Sequence, residues 1–517
     1  MAVLVSGGTV KVEVEIRTAA GTVRGRREND LAVFRGIPYA QPPFGARRFQ
    51  APVDFERWEG VREATVFGPP VPQVGNSGSI MRAADGVVED GSDECLTLNV
   101  WSPGLGRVGL PVMVWIHGGA YLEGSSANPH ADGAVLAAAG VVVVSINYRT
   151  GFEGFAHIAG APDNRGILDQ IAAVRWVRDN IEMFGGNPGN VTVVGQSAGA
   201  GCIAALTSMP LTAGLFRRAI AQSVPGTFFA PELAAAVSTA ITGTHGVQPT
   251  VEDLTSVPPA ALIDATQTIV TTMPQFADVW GPMALTPTPF SPVLDPDRLP
   301  QAPWQALNNG TACDIELLVG HTRDEYRLFA AHLDREPTED EVSAAITRCR
   351  GLPDDGRYRT AYPDATPAQL HEIVNADWLF RMPSLHLAQA QNLGGGHAWT
   401  YELCWGFNQE QGASHSLDYL LVLGTLTPDD IRRHPAAYPN AVDEAVEVAR
   451  HMRADWVRFA TTGNPGWDAY EPRARTTRVY TAQPFTAAYP EERSRQIWQT
   501  HQFDALNPLI PRDRTTR

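Results

Sequence analysis

The segment that most constrains how this 517-residue chain folds is 190–201, with the sequence NVTVVGQSAGAG. Its first half is short and apolar, which is typical of a buried strand, and a helix is predicted to begin at its end. Between them, Gly-Gln-Ser-Ala-Gly forms a Gly-x-Ser-x-Gly pattern centred on Ser197. On a tight strand-to-helix turn, this pattern lifts the serine hydroxyl above the edge of a sheet. We therefore predict that Ser197 is a nucleophile.

Apolar runs and helical patterns alternate along much of the chain, which predicts a mostly parallel sheet flanked by helices. A run that is apolar almost throughout, such as VVVVSI at 141–146, is typical of a strand buried on both faces. The predicted strands are 10–16, 21–26, 112–116, 141–146, 191–194 and 315–320, and the predicted helices are 167–184 and 441–461.

Residues 230–400 have a different character, because short helical patterns alternate there with proline-rich loops such as 282–303. We predict that they form helical insertions that cap the sheet and line a substrate pocket. The length of the chain would allow about three domains, but large α/β enzymes often exceed that size as one unit. We therefore expect 1–517 to form a single large α/β unit.

The composition argues against several classes of function. Acidic residues outnumber basic ones, 56 to 40, and there is no dense Lys/Arg run, so no nucleic-acid partner is expected. No stretch approaches the roughly 18 unbroken apolar residues of a membrane span, and 1–17 lacks the apolar core of a signal peptide. Five scattered cysteines without a Cys-x-x-Cys pair favour a reduced, cytoplasmic protein. We expect a monomer or weak homo-oligomer without metal or organic cofactor.

A nucleophilic serine needs stabilisation of the oxyanion that forms when it attacks a carbonyl group. The sequence His-Gly-Gly-Ala at 117–120 follows a predicted strand and has the form of a loop that donates backbone N–H groups to such an oxyanion. We assign the oxyanion hole to the N–H groups of Gly119, Ala120 and Ala198. His117 is predicted to shape this loop rather than to act as a base.

The nucleophile also needs an acid and a histidine, which follow it along the chain in that order when the serine sits on such a turn. The acid is expected at the end of a strand. The predicted strand 315–320 leads into a loop with two adjacent carboxylates, Asp324 and Glu325. The physical argument does not separate them.

The base is one of the histidines after the nucleophile. His415 lies in a polar loop before the apolar stretch 419–423, where a histidine can be both exposed and firmly placed. His321 lies beside the candidate acids, and the remaining histidines have no marked environment. His415 is the favoured candidate, and the others stay open at this point.

Several further motifs accompany these segments in a fixed order. Together with the Gly-x-Ser-x-Gly turn they resemble the type-B carboxylesterases, the family that includes acetylcholinesterase and bacterial para-nitrobenzyl esterases. The resemblance extends over nearly the whole chain. It implies an α/β-hydrolase fold and a serine carboxylesterase that acts on small-molecule esters. The motifs are FRGIPYA at 34–40, DECLTLN at 93–99, HGGA at 117–120, NYR at 147–149, GILDQ at 166–170 and FGGNP at 184–188.

The resemblance also implies the members of a Ser-His-Glu triad. The family's catalytic glutamate is the second carboxylate of an Asp-Glu pair after a strand, which is Glu325 here. Its histidine lies in a Gly-x-x-His loop before an apolar strand, which is His415. His415 would deprotonate Ser197, and Glu325 would orient the imidazole and stabilise its charged form. Ser223 resembles a serine near the family's triad, and it is equally compatible with an ordinary polar residue at a strand end.

Two departures from the family pattern bear on the substrate. Gln196 stands where the family usually has glutamate, so we predict a less negative site and a weaker preference for cationic substrates. In the cholinesterases, aromatic residues in the region corresponding to 285–290 narrow the acyl pocket, whereas this chain has two threonines there. We therefore predict a roomier acyl pocket. The residues assigned to the pocket are Gln196, Thr286, Thr288, Phe290 and Phe329.

Cys95 matches a family cysteine that forms a disulfide with an earlier cysteine in secreted members. Residues 60–75 contain no cysteine. The resemblance therefore also favours a reduced, cytoplasmic protein.

Two alternatives to ester hydrolysis stay open. An acyltransferase, transesterase or amidase would use the same acyl-enzyme intermediate. A non-catalytic interaction module is disfavoured, because Ser197, Glu325, His415 and both glycines of the oxyanion loop are all present.

Overall fold

Residues 12–74, 94–331, 335–350 and 354–509 are described by the computed structural model of the chain. Residues 10–11 of the first predicted strand, most of 1–17 and Asp93 lie outside them. Thirteen strands of the described residues join into one sheet. They are β1 (Glu13–Arg17), β2 (Thr22–Glu28), β3 (Leu31–Pro38), β4 (Val61–Glu63), β5 (Thr97–Ser102), β6 (Leu110–Ile116), β7 (Val142–Ile146), β8 (Gly186–Gln196), β9 (Arg218–Gln222), β10 (Glu316–Thr322), β11 (Ala398–Leu403), β12 (Thr476–Tyr480) and β13 (Phe485–Ala488).

The centre of the sheet is parallel. Neighbouring strands run parallel through the order β7-β6-β8-β9-β10-β11-β12. Antiparallel pairing adds β5, β3, β2 and β1 at one edge and β13 at the other, while β4 pairs with β2. Parallel pairing brings the loops after β6, β8 and β10 to the same edge of the sheet, where ligands bind in open α/β sheets.

Helices fill the connections between the strands. They are α1 (Ala134–Ala138), α2 (Gly151–Phe155), α3 (Arg165–Asn180), α4 (Ala198–Ser208), α5 (Pro231–Gly243), α6 (Val251–Leu254), α7 (Pro259–Thr272), α8 (Ala277–Trp280), α9 (Pro303–Asn308), α10 (Arg327–Ala330), α11 (Glu339–Arg350), α12 (Arg357–Ala361), α13 (Pro367–Ala376), α14 (Met382–Leu393), α15 (Leu417–Leu423), α16 (Pro428–Arg433), α17 (Ala441–Thr462) and α18 (Glu492–Trp498). None of these described helices is long and apolar enough to span a lipid bilayer.

Both faces of the sheet are covered. Successive side chains of a strand point to opposite faces, and β6 follows this rule. Val112, Val114 and Ile116 belong to a hydrophobic cluster that α3 and α4 share, whereas Met113 and Trp115 belong to a second cluster that α15 and α17 share. The strand is apolar throughout because it is buried on both sides.

The predicted helices are present with small differences at their ends. The helix predicted at 167–184 is α3, which ends at Asn180 and is followed by a 3₁₀ turn over Ile181–Phe184. Gly185, with φ +89°, ends this turn. The helix predicted at 441–461 is α17, and two strands and α18 follow it.

The expectation of an apolar strand at 419–423 is wrong, because these residues lie in helix α15. All seven residues of this helix are buried. A short run that is apolar on every side shows no periodicity, so strand and helix cannot be distinguished from the pattern.

Residues 230–400 contain two groups of helices, α5–α9 before β10 and α10–α14 after it. β10 is a strand of the parallel core. The stretch is therefore divided by part of the sheet itself. Two short helices that follow β11, α15 and α16, lie on the same side of the molecule as the candidate active site.

Candidate active site

Ser197 lies on the turn between β8 and α4, with φ 58° and ψ −126°. A positive φ is strained for a residue other than glycine. The Ser197 N–H donates to the Gln222 carbonyl of β9 at 2.9 Å, which holds the turn. A Cβ atom at Gly195 would lie 2.5 Å from the carbonyl oxygen of Gly199, and one at Gly199 would lie 2.3 Å from that of Ile116. The motif therefore needs both of its glycines.

The loop after β6 lies beside this turn. Gly119 and Ala120 have positive φ values of 116° and 55°, and their N–H groups donate to no acceptor among the described residues. Ala198 is the first residue of α4, a position whose N–H has no partner within a helix. All three residues line the same cavity as Ser197. They can therefore donate to an oxygen atom bound next to the serine.

His117 is packed into the base of this loop. Its ring stacks on that of Tyr148 with centroids 4.3 Å apart, and its Nδ1 lies 2.8 Å from the Gly118 carbonyl oxygen. Burial lowers the pKa of His117 to about 4. The imidazole is thus neutral and held in the loop, as expected for a residue that shapes it.

Glu325 and His415 meet at the carboxyl edge of the sheet. His415 Nδ1 lies 2.5 Å from Glu325 Oε2. The other carboxylate oxygen accepts hydrogen bonds from Ser223 Oγ at 2.5 Å and from the Thr322 N–H at 2.9 Å. Burial alone would raise the pKa of Glu325, but His415 and these two donors hold it below its ordinary value. An ionised Glu325 requires the hydrogen on Nδ1, so Nε2 of the neutral ring is the basic nitrogen.

Asp324, the other candidate acid, has different partners. Its Oδ2 accepts from the Ala413 N–H at 2.8 Å, and it forms ion pairs with Arg323 at 2.9 Å and Arg327 at 3.0 Å. Burial alone would raise the pKa of Asp324, but the two arginines hold it below its ordinary value. Asp324 therefore ties the loop that carries His415 to the loop after β10.

His321 belongs to the core rather than to this site. It lies on β10, is 1% exposed, and its Nε2 is 2.9 Å from the Tyr489 hydroxyl. Burial lowers its pKa to about 4. It is not among the residues that line the cavity beside Ser197.

Gln196 contacts the basic nitrogen of His415. Its side chain is buried, and its amide Nε2 lies 3.1 Å from His415 Nε2. Within the described residues, no hydrogen bond joins Ser197 Oγ to His415.

A cavity of about 770 Å³ opens over the serine, which is within the usual size of a small-molecule site. Its wall is largely apolar, and its acidic and basic side chains besides His415 are Glu123, Asp430 and His434. Asp430 and His434 belong to the segment 426–434, which lies beyond the stretch 230–400. Other lining residues are Tyr121, Pro225, Thr227, Leu328, Leu379, Phe380, Phe407, Leu417, Tyr419, Leu420 and Leu426.

Four of the five predicted pocket residues, Gln196, Thr286, Thr288 and Phe329, line this cavity. Phe290 does not. It is 2% exposed, and its ring packs against Phe152 with centroids 6.5 Å apart. The prediction for Phe290 is therefore wrong, because the chain turns it into the core after the two threonines.

One contact was not predicted. The Phe380 ring stacks on the His415 imidazole, with centroids 4.3 Å apart and an angle of 29° between the planes. Phe380 lies in a single turn of π-helix, Asp377–Arg381, between α13 and α14. Such turns are frequent at functional sites, but the pattern of this segment, Asp-Trp-Leu-Phe-Arg, does not distinguish it from an ordinary helix.

The arrangement of a nucleophilic turn, an oxyanion loop and a carboxylate–histidine pair on one sheet edge is that of an α/β hydrolase. The model of the carboxylesterase family matches residues 11–498. The chain is 36% identical to the para-nitrobenzyl esterase of Bacillus subtilis, with 93% of this chain and 97% of that protein covered. It is 34% identical to the phenmedipham hydrolase of Pseudarthrobacter oxydans, with coverage of 87% and 90%.

Solved structures agree with these relatives. A structure of a para-nitrobenzyl esterase superposes with a TM-score of 0.81 at 36% identity, covering 93% of this chain and 98% of that one. A carboxylesterase of Geobacillus stearothermophilus superposes with a TM-score of 0.79 at 34% identity, covering 94% and 100%. The chain belongs to the carboxylesterase family, a family of carboxylic-ester hydrolases, and has the α/β-hydrolase fold.

Proposed function

We propose that this protein hydrolyses carboxylic esters through the triad Ser197, His415 and Glu325 and an acyl-enzyme intermediate. The observation that carries the proposal is the 2.5 Å contact between His415 Nδ1 and Glu325 Oε2 beside the strained serine turn. The carboxylate is buried and ionised, so it can orient the ring and stabilise the imidazolium that forms during catalysis.

In the first half-reaction, His415 Nε2 takes the proton of the Ser197 hydroxyl while Oγ bonds to the ester carbonyl carbon. The carbonyl π electrons move to the oxygen, which accepts hydrogen bonds from the N–H groups of Gly119, Ala120 and Ala198. The tetrahedral intermediate collapses, and the alcohol leaves with the proton from His415.

In the second half-reaction, water replaces the alcohol. His415 removes a proton from the water as its oxygen bonds to the acyl carbon, and the same oxyanion hole holds the negative charge. Collapse of this intermediate releases the carboxylic acid and returns the proton to Ser197. The chain supplies every acid and base in this sequence.

The substrates are small esters with apolar groups, because the cavity wall is largely apolar and about 770 Å³ in volume. In this proposal the chain acts as one catalytic unit, and the helices within 230–400 form part of the pocket wall. Thr286 and Thr288 leave room for the acyl chain. All five cysteines are free, which supports a place in a reducing compartment such as the cytoplasm.

Labelling with a fluorophosphonate tests the proposal directly, since this reagent reacts with an activated serine. The wild type is expected to be labelled once per chain and to hydrolyse p-nitrophenyl acetate. Ser197→Ala should abolish labelling and lower kcat by about a millionfold. A wild type that is not labelled, or a Ser197→Ala variant that retains hydrolysis, would overturn the proposed function.

A further inference from the structure

The basic nitrogen of His415 has a partner other than the nucleophile. Glu325 fixes the hydrogen on Nδ1, so the lone pair of Nε2 is an acceptor in the neutral ring. The Gln196 amide nitrogen lies 3.1 Å from this Nε2. An amide nitrogen only donates, so its N–H points at the lone pair.

One lone pair accepts one well-aligned hydrogen bond. In the structure that bond comes from Gln196, and Ser197 Oγ makes none to His415 within the described residues. The resting imidazole is therefore held by the amide, and Ser197 takes over this contact when the reaction begins.

When the free enzyme takes up a proton in acidic solution, Nε2 carries a hydrogen and becomes a donor. A carboxamide can meet this change, because rotation by about 180° about its last torsion exchanges Nε2 and Oε1, and this torsion is soft. Gln196 is 1% exposed, so water does not compete for the contact. The same side chain can thus donate to the neutral ring and accept from the imidazolium.

We propose that Gln196 is a positioning residue that acts through His415, donating to the neutral imidazole in the resting enzyme and accepting from the imidazolium when the free enzyme takes up a proton. The inference rests on the proposed function. A glutamate at this position could only accept, so it would favour the imidazolium and take the base out of use at higher pH.

Other charged groups near the ring are common to every variant of residue 196. Glu325 faces Nδ1, and Asp418 of α15, buried and bonded to the Tyr401 hydroxyl at 2.6 Å, acts on the ring electrostatically. The rings of Phe329 and Phe380 that pack on the imidazole are uncharged. The groups across the cavity are Glu123, Asp430 and His434.

The test is the pH dependence of the second-order rate constant for fluorophosphonate labelling, which reports the attack of Ser197 on the reagent without a later hydrolytic step. It compares the wild type with Gln196→Glu, which has the same shape, and with Gln196→Met, which has no polar atom. A carboxylate within 4–6 Å of an imidazolium shifts its titration by about one to three units. The acidic midpoint should therefore rise by about one pH unit or more in Gln196→Glu. In Gln196→Met it should fall slightly, since a bond to a charged donor is stronger than a neutral one.

Gln409→Glu is the matched control. It adds the same charge to the exposed part of the loop that leads to His415, and its midpoint should stay close to that of the wild type. Coincident midpoints in the three proteins, or an equal rise in Gln196→Glu and Gln409→Glu, would overturn the role of Gln196. Absence of labelling in the wild type would instead count against the proposed function. If the buried glutamate prevents Gln196→Glu from folding, the comparison of the wild type with Gln196→Met still tests the role of Gln196.

Discussion

At the scale of single residues, the two adjacent carboxylates after β10 have separate tasks. Glu325 contacts the imidazole, whereas Asp324 holds the backbone of the loop at Ala413. We expect Glu325→Gln to lower kcat by about 10³–10⁴-fold, because an amide can stabilise the wrong tautomer of His415 and cannot stabilise its charge. Steady-state hydrolysis of p-nitrophenyl acetate measures this loss.

Asp324→Asn is the matched comparison. Its main effect should be on stability, because Arg323 and Arg327 lose a buried partner. We expect a lower Tm and less than about a tenfold loss of kcat. If Asp324→Asn lost as much activity as Glu325→Gln at equal Tm, the division of tasks would be wrong.

Asp324 and Glu325 also show the limit of what the sequence alone predicts about single residues. The proposed nucleophile follows from a local pattern, since a strand, a tight turn and a helix are adjacent along the chain. The choice between Asp324 and Glu325 depends on His415 and Ala413, which are distant in sequence, so only the family resemblance or the fold can make it. The prediction that Phe290 lines the pocket was wrong for a similar reason, because the directions of side chains in a proline-rich loop follow no periodic pattern.

At the scale of elements, the loop after β7 is joined to α3 by a buried ion pair. Arg149 donates to both oxygens of Asp169 at 2.8 Å, and the two side chains are 2% and 0% exposed. Asp169→Asn leaves the arginine charge buried without its counter-charge. We expect the free energy of unfolding to fall by about 3–5 kcal/mol, measured by urea denaturation with circular dichroism.

A surface pair provides the contrast. Glu447 and Arg450 on α17 are about half exposed, and solvent-exposed pairs add little to stability. Glu447→Gln should therefore leave the denaturation curve unchanged within error. Equal effects of the two substitutions would show that burial of the Arg149–Asp169 pair does not matter.

The wrong expectation of a strand at 419–423, where the structure has α15, also has its reason in how elements pack. The parallel strands β6, β7, β8 and β10 were predictable because each contains a short apolar run between turns, and α3 because its apolar residues recur at helical spacing. Helix α15 is apolar on every side, packed between the sheet and α17. Its sequence is compatible with a buried strand, and its conformation is decided by neighbours that are distant along the chain.

At the scale of the whole molecule, the cavity should accept long acyl groups. Thr286 and Thr288 line it, and its volume is about 770 Å³. We expect p-nitrophenyl hexanoate to be hydrolysed with a kcat/KM at least equal to that for the acetate. Thr286→Phe should lower the hexanoate value by about tenfold or more, since overfilling a packed wall costs about 1–3 kcal/mol. The acetate value should change little, and a wild type slower on hexanoate would contradict a roomy acyl pocket.

Acidic residues on the cavity wall weaken the prediction that the site is less negative than in relatives. Gln196 removes one negative charge next to the serine, yet Glu123 and Asp430 remain on the wall. Four strands of the parallel core and the two threonines of the cavity wall could be predicted from the sequence. The contribution of 426–434 to the wall could not, because it depends on how α15 and α16 pack over the sheet edge.

Histidines buried in their neutral form, among them His117 and His321, make contributions to the stability of the chain that are lost in mild acid. The pKa of His117 and that of His321 are each lowered from 6.5 to about 4 by burial. Below pH 6.5 the unfolded chain binds a proton at each site and the folded chain does not until about pH 4. At these two sites the unfolded state gains the proton first, so their contribution to stability falls as the pH decreases from 6.5 to 4. Each site contributes up to about 1.4 kcal/mol per pH unit.

His321→Gln removes one of these sites and keeps a polar partner for the Tyr489 hydroxyl, which His321 Nε2 contacts at 2.9 Å. Urea midpoints measured between pH 7 and pH 4.5 should fall less steeply for this variant than for the wild type. His245→Gln, at an exposed histidine, should leave the slope unchanged. Because the comparison concerns slopes, a general loss of stability in His321→Gln does not affect it. Parallel curves for the wild type and His321→Gln would show that this buried imidazole does not drive the acid sensitivity.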